Sequence, residues 1–226
     1  MSRRATGGTI GIRGLAVALL MFFFLLPSHA ALPLPDPRID TPLVTASATQ
    51  TAVFAGGCFW GVEAVFEHVR GVTGVTSGYS GGSADTARYD AVSSGGTGHA
   101  EAVRITYDPS RISYGQLLKV FFSVAHDPTE LNRQGPDTGT QYRSAVFFSS
   151  DEQKRVTQAY IDQLQAARTF PRAIVTEVTK LKAFYEAEAY HQDYLVRHPD
   201  QPYIIDFDLP KIANLKRQFP SLYVGD

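Results

Sequence analysis

The sequence predicts an α+β fold in which helices pack on a mixed or antiparallel sheet as a two-layer sandwich. Three observations lead to this prediction. Short β-favouring runs alternate with segments of helical period, helix-start signals and long glycine-rich loops are unevenly spaced, and no internal repeat is visible. The chain beyond its first thirty residues is long enough for one domain with a sizeable core.

Residues 1–30 have the features of a signal peptide. Three arginines precede the apolar run 15–26, and the small residues Ser28 and Ala30 fit a cleavage site after Ala30. We expect export, with the bacterial periplasm as the compartment, and an uncleaved anchor is the alternative. Residues 31–50, rich in Pro, Ala and Thr, are expected to form a linker or a surface strap. Residues 51–226 are then a single catalytic domain.

Charge argues against a nucleic-acid partner. The formal net charge is −1, and removing residues 1–30, which carry three arginines and no acids, makes it −4. The sequence has no basic cluster, and a mildly acidic surface repels phosphates. We therefore expect no nucleic acid among the ligands.

The stretch around Cys58 contains the chain's only cysteine and its only tryptophan. Residues 51–55 read as a strand and Gly56-Gly57 as a tight turn, after which apolar residues recur at helical spacing. Cys58 is therefore predicted at a helix N-terminus, where unpaired N–H groups and the helix dipole favour thiolate. We expect a depressed pKa and a reactive nucleophile. The alternative is a buried, inert cysteine.

Further elements follow along the chain. An irregular strand is expected over 71–77, followed by a glycine-rich loop over 78–98 that carries Tyr79 and Tyr89. Residues 101–107 alternate apolar and polar side chains, which predicts a half-buried strand. Ser113 and Gln116 fit a capping box that starts the next helix.

The second half of the chain continues this alternation. The remaining predicted elements are a loop over 126–141, a strand over 145–148, a helix capped by Ser150 and Gln153 and ended by Pro171, a strand over 173–178, and a helix over 184–195. The tail after Pro199 shows little periodicity, so no element is predicted there.

Glu101 is the candidate proton donor. It opens a strand directly after a flexible loop, and burial there would raise its pKa enough to donate a proton at neutral pH. An ordinary solvent-facing glutamate is the alternative, and Tyr89, Tyr142 and Asp137 have similarly ordinary alternatives. His99 or His191 could instead serve as the base of a cysteine hydrolase, and a non-catalytic peptide-binding module also stays open.

Two other chemistries are not favoured. Ser80 lies in a G-x-S-x-G pattern, but no helical segment follows it, as a serine-hydrolase nucleophile requires. One cysteine and the scattered histidines do not form a metal-ligand spacing, so we expect neither metal nor cofactor.

Four motifs occur together and in order along the chain. They are Gly57-Cys58-Phe59-Trp60, Gly98-His99-Ala100-Glu101-Ala102-Val103, Asp137-Thr138-Gly139-Thr140-Gln141-Tyr142-Arg143-Ser144 and Tyr185-Glu186-Ala187-Glu188-Ala189-Tyr190-His191-Gln192-Asp193-Tyr194. Over roughly 51–203 the chain resembles the A class of peptide methionine sulfoxide reductases. The resemblance implies the same α+β fold and reduction of methionine-S-sulfoxide in proteins or peptides.

The resemblance also implies roles. Cys58 would attack the sulfoxide sulfur and Glu101 would protonate its oxygen, leaving a sulfenic acid on Cys58. Tyr89 and Tyr142 would hydrogen-bond that oxygen, and Asp137 would orient a polar network. The substrate methyl group would lie against Phe59 and Trp60.

The tail departs from many members of this class. Many of them reduce the sulfenic acid with a second cysteine near the C-terminus, but residues 220–226 contain none. The chain resembles a one-cysteine type, in which an external thioredoxin-like or glutathione-type thiol is the reductant. We expect it to act as a monomer.

Overall fold

The computed structural model describes Met1, residues 34–46 and residues 48–225. The chain divides into two compact units, Met1–Ala31 and Leu32–Asp226. The predicted signal peptide lies, apart from Met1, outside the described residues. Within the described part, no helix is both long and apolar enough to cross a membrane.

A six-stranded sheet forms the centre of the second unit. Its strands are β1 Gln50–Gly56, β2 Val72–Ser80, β3 Ala100–Tyr107, β6 Ser144–Phe148, β7 Glu177–Lys180 and β8 Phe184–Glu186. The order is β7-β6-β1-β3-β2-β8. Only the β6–β7 pair is parallel among these neighbours, so the predicted mixed sheet is confirmed. A separate hairpin joins β4 Arg133–Gln134 to β5 Asp137–Thr138.

Six α-helices accompany these strands in the described residues. They are α1 Phe59–Glu67, α2 Tyr89–Val92, α3 Tyr114–Val120, α4 Asp151–Ala166, α5 Tyr194–Arg197 and α6 Leu209–Gln218. The side chains of successive β1 residues lie on opposite faces of the sheet. Phe54 belongs to the main core, which includes residues of α1, α3 and α4, whereas Val53 and Ala55 belong to a smaller cluster of mostly small residues. This arrangement confirms the α+β class.

The glycine-rich loop and strand β3 differ from prediction. Strand β2 extends to Ser80, so Tyr79 is a fully buried strand residue instead of a loop residue. Strand β3 lies between β1 and β2 and is buried on both faces at Ala102 and Val103, so it is not a half-buried strand. Larger apolar residues of β3 alternate with Ala102, Arg104 and Thr106, so the sequence looks like a strand with one exposed face. This pattern does not reveal that Ala102 is covered as well.

The helix caps are partly as predicted. Ser113 and Gln116 form the complete capping box of α3. At α4 only half of the box is present. The Ser150 side chain accepts from the Gln153 N–H, but the Gln153 amide accepts from the Ser149 N–H and donates to the carbonyl of Thr51. Helix α4 ends at Ala166, before Pro171, because Arg168 adopts positive φ and closes the last turn.

The C-terminal third contains the largest errors of prediction. The strand expected over 173–178 lies at Glu177–Lys180. The helix expected over 184–195 is wrong. Its first residues form β8, which pairs with β2, and a 3₁₀ turn and the short α5 follow. The tail after Pro199 contains a π-helical turn, Ile204–Asp208, and then α6. Over residues 184–186, pairing with the distant strand β2 overrode the local helix propensity.

Residues 34–46 lie against α3 and α4. The Asp40 carboxylate accepts from the Ser113 hydroxyl at 2.5 Å and from the Gly115 N–H at 2.7 Å. The Tyr160 hydroxyl donates to the Pro35 carbonyl at 2.8 Å. Hydrogen bonds therefore tie this segment, called the strap below, to both helices.

Candidate active site

A cavity of about 180 Å³ brings the predicted site residues together. Its lining residues are Cys58, Phe59, Trp60, Tyr89, Glu101, Asp137, Tyr142 and Tyr203. All seven residues singled out from the sequence are among them, and Tyr203 is an addition. A larger cleft of about 490 Å³ beside the end of α4 is lined by apolar residues, Gln165, Arg168 and Arg172, and it contains neither an acid nor a thiol.

Cys58 occupies the predicted position between β1 and α1. Strand β1 ends at Gly56, Gly57 has φ of +91°, and Cys58 is the N-cap of α1. A Cβ at position 57 would come within 2.5 Å of the Gln134 side chain. Glycine is therefore required both by the left-handed backbone and by the close approach of the β4–β5 hairpin.

The ionisation of Cys58 is opposite to the prediction. Burial, followed by the negative charges of Glu101 and Asp208, raises the pKa of the thiol well above its ordinary value. A hydrogen bond from the backbone N–H of Trp60 lowers the pKa, as does the positive charge of Lys211, but together they do not reverse the shift. The prediction of a depressed pKa is wrong because desolvation of Cys58, a residue that is only 8% exposed, outweighs the effect of the helix N-terminus. In the free protein Cys58 is a thiol.

Glu101 is the second residue of β3 and is only 2% exposed. Its Oε2 accepts a hydrogen bond from the Phe59 N–H at 3.1 Å, which ties the carboxyl to the residue after Cys58. Burial raises the pKa of Glu101 to about 8, the Phe59 bond opposes this shift and the charge of Asp137 adds to it. Glu101 therefore carries a proton at neutral pH, in contrast to the solvent-facing alternative.

Tyr89 and Tyr142 reach the cavity from the two loops. Tyr89 is the first residue of α2, and its N–H donates to Glu188 Oε1 at 2.9 Å. Tyr142 ends the 3₁₀ turn Thr140–Tyr142. Burial and then the charge of Glu101 raise the pKa of both phenols, so each keeps its O–H proton. Both can donate hydrogen bonds to an oxygen atom in the cavity.

Asp137 and Tyr203 form a hydrogen-bonded pair on the cavity wall. Asp137 begins β5, and its Oδ2 accepts from the Tyr203 hydroxyl. Sequence reasoning missed Tyr203 because the residue stands alone in a tail without clear periodicity. The only local signal was the aromatic side chain after Pro202, just ahead of a short apolar run.

Phe59 and Trp60 form the aromatic part of the wall. Phe59 is buried, with its ring centroid 5.0 Å from that of His191. Trp60 stacks on Tyr194 at a centroid distance of 3.6 Å and meets Tyr203 edge-on at 6.0 Å. Its indole N–H donates to His191 Nδ1 at 3.1 Å, which fixes the ring within its plane.

The segment around Glu188 and His191 holds two lining residues of the cavity, Tyr89 and Trp60, by hydrogen bonds. Glu188 Oε2 accepts from the Tyr79 hydroxyl at 2.8 Å, while its Oε1 holds the Tyr89 backbone. His191 is 2% exposed and holds Trp60. In the sequence these residues stand in one motif, and only the folded contacts reveal that they support Tyr89 and Trp60.

The hydrolase alternative lacks a base for Cys58. The ring nitrogens of His99 contact the Gly82 N–H and the Ser83 carbonyl, and His191 Nδ1 accepts from Trp60. Among the described residues, neither imidazole hydrogen-bonds Cys58. Ser80 is buried and donates to the Ala183 carbonyl at 2.7 Å, so it is not an available nucleophile either.

These features define a class of protein. A thiol at a strand-to-helix turn shares a small cavity with a protonated carboxyl group, two phenolic donors and an aromatic wall. This set of groups is that of a cysteine-dependent enzyme with a built-in proton donor.

Comparison with known proteins gives the family. The family model described as "Peptide methionine sulfoxide reductase" matches residues 50–221. The chain is 60% identical over 178 residues to peptide methionine sulfoxide reductase MsrA 2 of Mesorhizobium japonicum, covering 79% of this chain and 91% of that protein. It is 55% identical over 208 residues to MsrA 2 of Synechocystis sp., covering 91% and 96%. The chain therefore belongs to the peptide methionine sulfoxide reductase family.

Solved structures agree with this assignment. Mxr1 of Saccharomyces cerevisiae in reduced form aligns with a TM-score of 0.63 and 31% identity over 73% of this chain and 92% of that one. Methionine sulfoxide reductase A of Corynebacterium diphtheriae aligns with a TM-score of 0.58 and 34% identity, over 76% and 85%. The protein is thus an oxidoreductase that reduces methionine sulfoxide.

Proposed function

We propose that the protein reduces the S epimer of methionine sulfoxide, free or within proteins, by moving the sulfoxide oxygen onto Cys58. One observation carries this proposal. Cys58 and Glu101 line the same cavity, and Glu101 is bonded to the backbone immediately after Cys58 while it retains its proton. Reductases of this kind act on one sulfoxide epimer each, which limits the substrate to one configuration at sulfur.

The chemistry needs a sulfur nucleophile and an acid. Cys58 attacks the sulfoxide sulfur while Glu101 protonates the oxygen, which would otherwise be a poor leaving group. The proton that Cys58 loses replaces the one that Glu101 gives. The net step is Cys58–SH plus R₂S=O giving Cys58–SOH plus R₂S, so the sulfoxide is reduced to a thioether and the cysteine is oxidised to a sulfenic acid.

The other cavity residues act on the substrate's surroundings. Tyr89 and Tyr142 donate hydrogen bonds to the sulfoxide oxygen as negative charge builds on it. Phe59 and Trp60 enclose the methyl group on sulfur in an apolar wall. Asp137 orients the polar side of the cavity, and its hydrogen bond with Tyr203 supports this role.

Cys58 must then be returned to a thiol. The 226-residue chain contains one cysteine, so the reducing thiol comes from outside this chain. A first thiol attacks the sulfenic acid, releasing water and forming a mixed disulfide, and a second thiol releases Cys58. A thioredoxin-like or glutathione-type donor fits this scheme. We further propose that residues 1–30 direct export to the periplasm, that cleavage follows Ala30, and that the enzyme acts as a monomer.

A single-turnover experiment tests the oxygen transfer. The protein is mixed without oxygen or thiol with one equivalent of each epimer of a methionine sulfoxide peptide, in the presence of a sulfenic-acid trap. We expect the reduced methionine peptide to form from the S epimer only, with one trap adduct on Cys58 by mass spectrometry. Cys58→Ser is the control and should show neither product. Reduced peptide formed beside an intact thiol would contradict the scheme.

The same assay separates the alternatives. A peptide-binding module would retain oxidised peptide without releasing methionine in either the parent protein or Cys58→Ala. A hydrolase would cleave ester or amide substrates in a Cys58-dependent way and leave the sulfoxide untouched.

Export has its own test. The full chain is produced in a bacterium, and the N-terminus of the protein in the periplasmic fraction is determined. A mature form that begins at Ala31 is expected. An intact chain in the membrane fraction would instead indicate an anchor.

A further inference from the structure

A buried ion pair lies against the first turn of α1, beside the catalytic cysteine. Asp208 precedes α6 and is fully buried. Lys211 Nζ lies 3.1 Å from Asp208 Oδ1, and only 18% of the Lys211 side chain is exposed. The other carboxylate oxygen, Oδ2, is buried without a hydrogen-bond partner among the described residues. Lys211 is therefore the main compensation for a carboxylate that is costly to bury.

Gly61 shows how close the pair lies to the helix. A Cβ at Gly61 would overlap Asp208 Oδ1 and would come within 2.5 Å of Lys211 Nζ. Gly61 is three residues after Cys58, within the turn whose N–H groups have no intrahelical partners. The absence of a side chain at position 61 is what allows both charges to reach the N-terminal turn of α1.

The charges that act on Cys58 come from several elements. The titratable neighbours are Glu101 on β3, Asp208 before α6, Lys211 on α6, and the phenols Tyr89, Tyr142 and Tyr203, which all keep their protons. Lys211 is the cation in this set. Its charge lowers the pKa of Cys58, and the Asp208 charge raises it. The two partners of one ion pair thus act on the thiol with opposite signs.

We propose that Lys211 is a positioning residue that stabilises the Cys58 thiolate, and that Asp208 holds Lys211 against Gly61 while limiting this stabilisation. This inference rests on the proposed use of Cys58 as the nucleophile. Neither residue touches the cavity that holds the substrate. The pair acts through the first turn of α1, where a small displacement of a buried charge has a large effect on a buried sulfur.

The ionisation of Cys58 can be measured without substrate. Because the chain has one cysteine, iodoacetamide gives a single adduct whose rate against pH reports the thiolate fraction. Asp208→Asn should shift the profile to lower pH and speed alkylation at neutral pH. Lys211→Met should shift it to higher pH and slow alkylation. We expect changes of about threefold to tenfold, since one pKa unit is a tenfold change in thiolate.

Two further variants keep the test decisive. Lys211→Arg retains the charge and should give a profile close to that of the parent protein. Lys211→Met leaves Asp208 buried without its cation, so thermal unfolding must show that the variant is folded. If it is not, Asp208→Asn/Lys211→Met, which removes both charges, should give a profile between those expected for the single variants.

A distant ion pair supplies the matched control. Lys119 on α3 pairs with Asp36 at 2.8 Å and is equally shielded, with 17% of its side chain exposed. Lys119→Met should leave the alkylation profile unchanged. Shifts of the same sign in Asp208→Asn and Lys211→Met, no shift in either, or no recovery in Lys211→Arg would overturn the inference.

The outcomes distinguish this inference from the proposed function. Alkylation requires no sulfoxide. Opposite shifts in a protein that fails to reduce methionine sulfoxide would support the ion-pair effect and reject the reductase mechanism. If the protein reduces methionine sulfoxide but the alkylation profiles of the variants do not shift, the reductase mechanism is supported and the ion-pair effect is rejected.

Discussion

The cavity has two halves that are held in place by different means. Cys58 and Glu101 are positioned by the sheet: Cys58 follows the end of β1 after Gly57, Glu101 lies near the start of β3, and the two strands pair through Phe54 and Val103. The other half is held by side-chain hydrogen bonds between residues far apart in sequence. Tyr203 and Asp137 are 66 residues apart, and Trp60 and His191 are 131 apart.

The two means of support correspond to two tasks: positioning the reacting groups and shaping the cavity around the substrate that we propose. Backbone pairing in the middle of a buried sheet fixes the positions of the proposed nucleophile and the proposed acid, and such pairing is the least easily distorted part of a domain. The half held by side chains would surround the substrate proposed above, and each of its hydrogen bonds is worth only about 0.5–1.5 kcal/mol. Substitutions in the first half should therefore abolish chemistry, and those in the second should weaken it by degrees.

The largest expected effect comes from Glu101→Gln. Loss of a general acid should lower kcat by about 10²–10⁴-fold with little change in KM. In the parent protein activity should fall as pH rises through about 8, because the acid works only while protonated and burial raises the pKa of Glu101 to about 8. Steady-state kinetics against pH measure both effects. Glu101→Asp should keep this alkaline decline at lower activity, and a decline that persisted unchanged in Glu101→Gln would assign it to another group.

Tyr142→Phe tests the boundary between the halves. A hydrogen bond to an oxygen that gains charge contributes about 1.5–3 kcal/mol, so we expect roughly a 10- to 100-fold lower kcat. Tyr89→Phe should act similarly, and the double variant should lose less than the product of the two. Single-turnover methionine release measures each. A loss confined to KM would place these phenols in ground-state binding only.

Tyr203→Phe should weaken the enzyme less. The variant keeps the ring beside Trp60 and removes the hydroxyl that donates to Asp137, so we expect about a 2- to 10-fold decrease in kcat/KM. Tyr160→Phe is the matched control, because its hydroxyl bonds the strap at Pro35, away from the cavity. An equal loss in both variants would indicate general destabilisation.

The smallest effect concerns stability. Burial raises the pKa of Glu63 on α1 to about 8, with the charge of Glu67 adding to the shift. The folded state then holds a proton that the unfolded state releases near its lower, ordinary pKa. Unfolding free energy should therefore decrease as pH rises between roughly 4.5 and 8, by an amount on the order of 1 kcal/mol or more.

Glu63→Gln should reduce this slope, measured by urea denaturation at a series of pH values, and leave the part that comes from Glu101, whose pKa burial also raises to about 8. Glu152→Gln, on an exposed face of α4, should leave the curve unchanged. A slope of opposite sign in the parent protein would show that depressed carboxyl pKa values dominate instead.

The same division explains what the sequence could predict. The positions of Cys58 and Glu101 were readable because each depends on a local signal: a glycine turn before a helix, and a strand that begins after a loop. Tyr203 and Asp208 were not readable, since their importance comes from partners brought near by α6 and the π-helical turn. The prediction of a depressed pKa for Cys58 was wrong for a related reason. Burial depends on the whole fold, whereas the helix N-terminus is visible locally.

The aromatic wall makes the cavity visible to fluorescence. Trp60 is the chain's only tryptophan, and it stacks on Tyr194 at the edge of the cavity. Tryptophan emission from this protein therefore originates at a single residue on the cavity wall. We expect its intensity and wavelength to change when a ligand occupies the cavity, so that a fluorescence titration without a label would measure binding there.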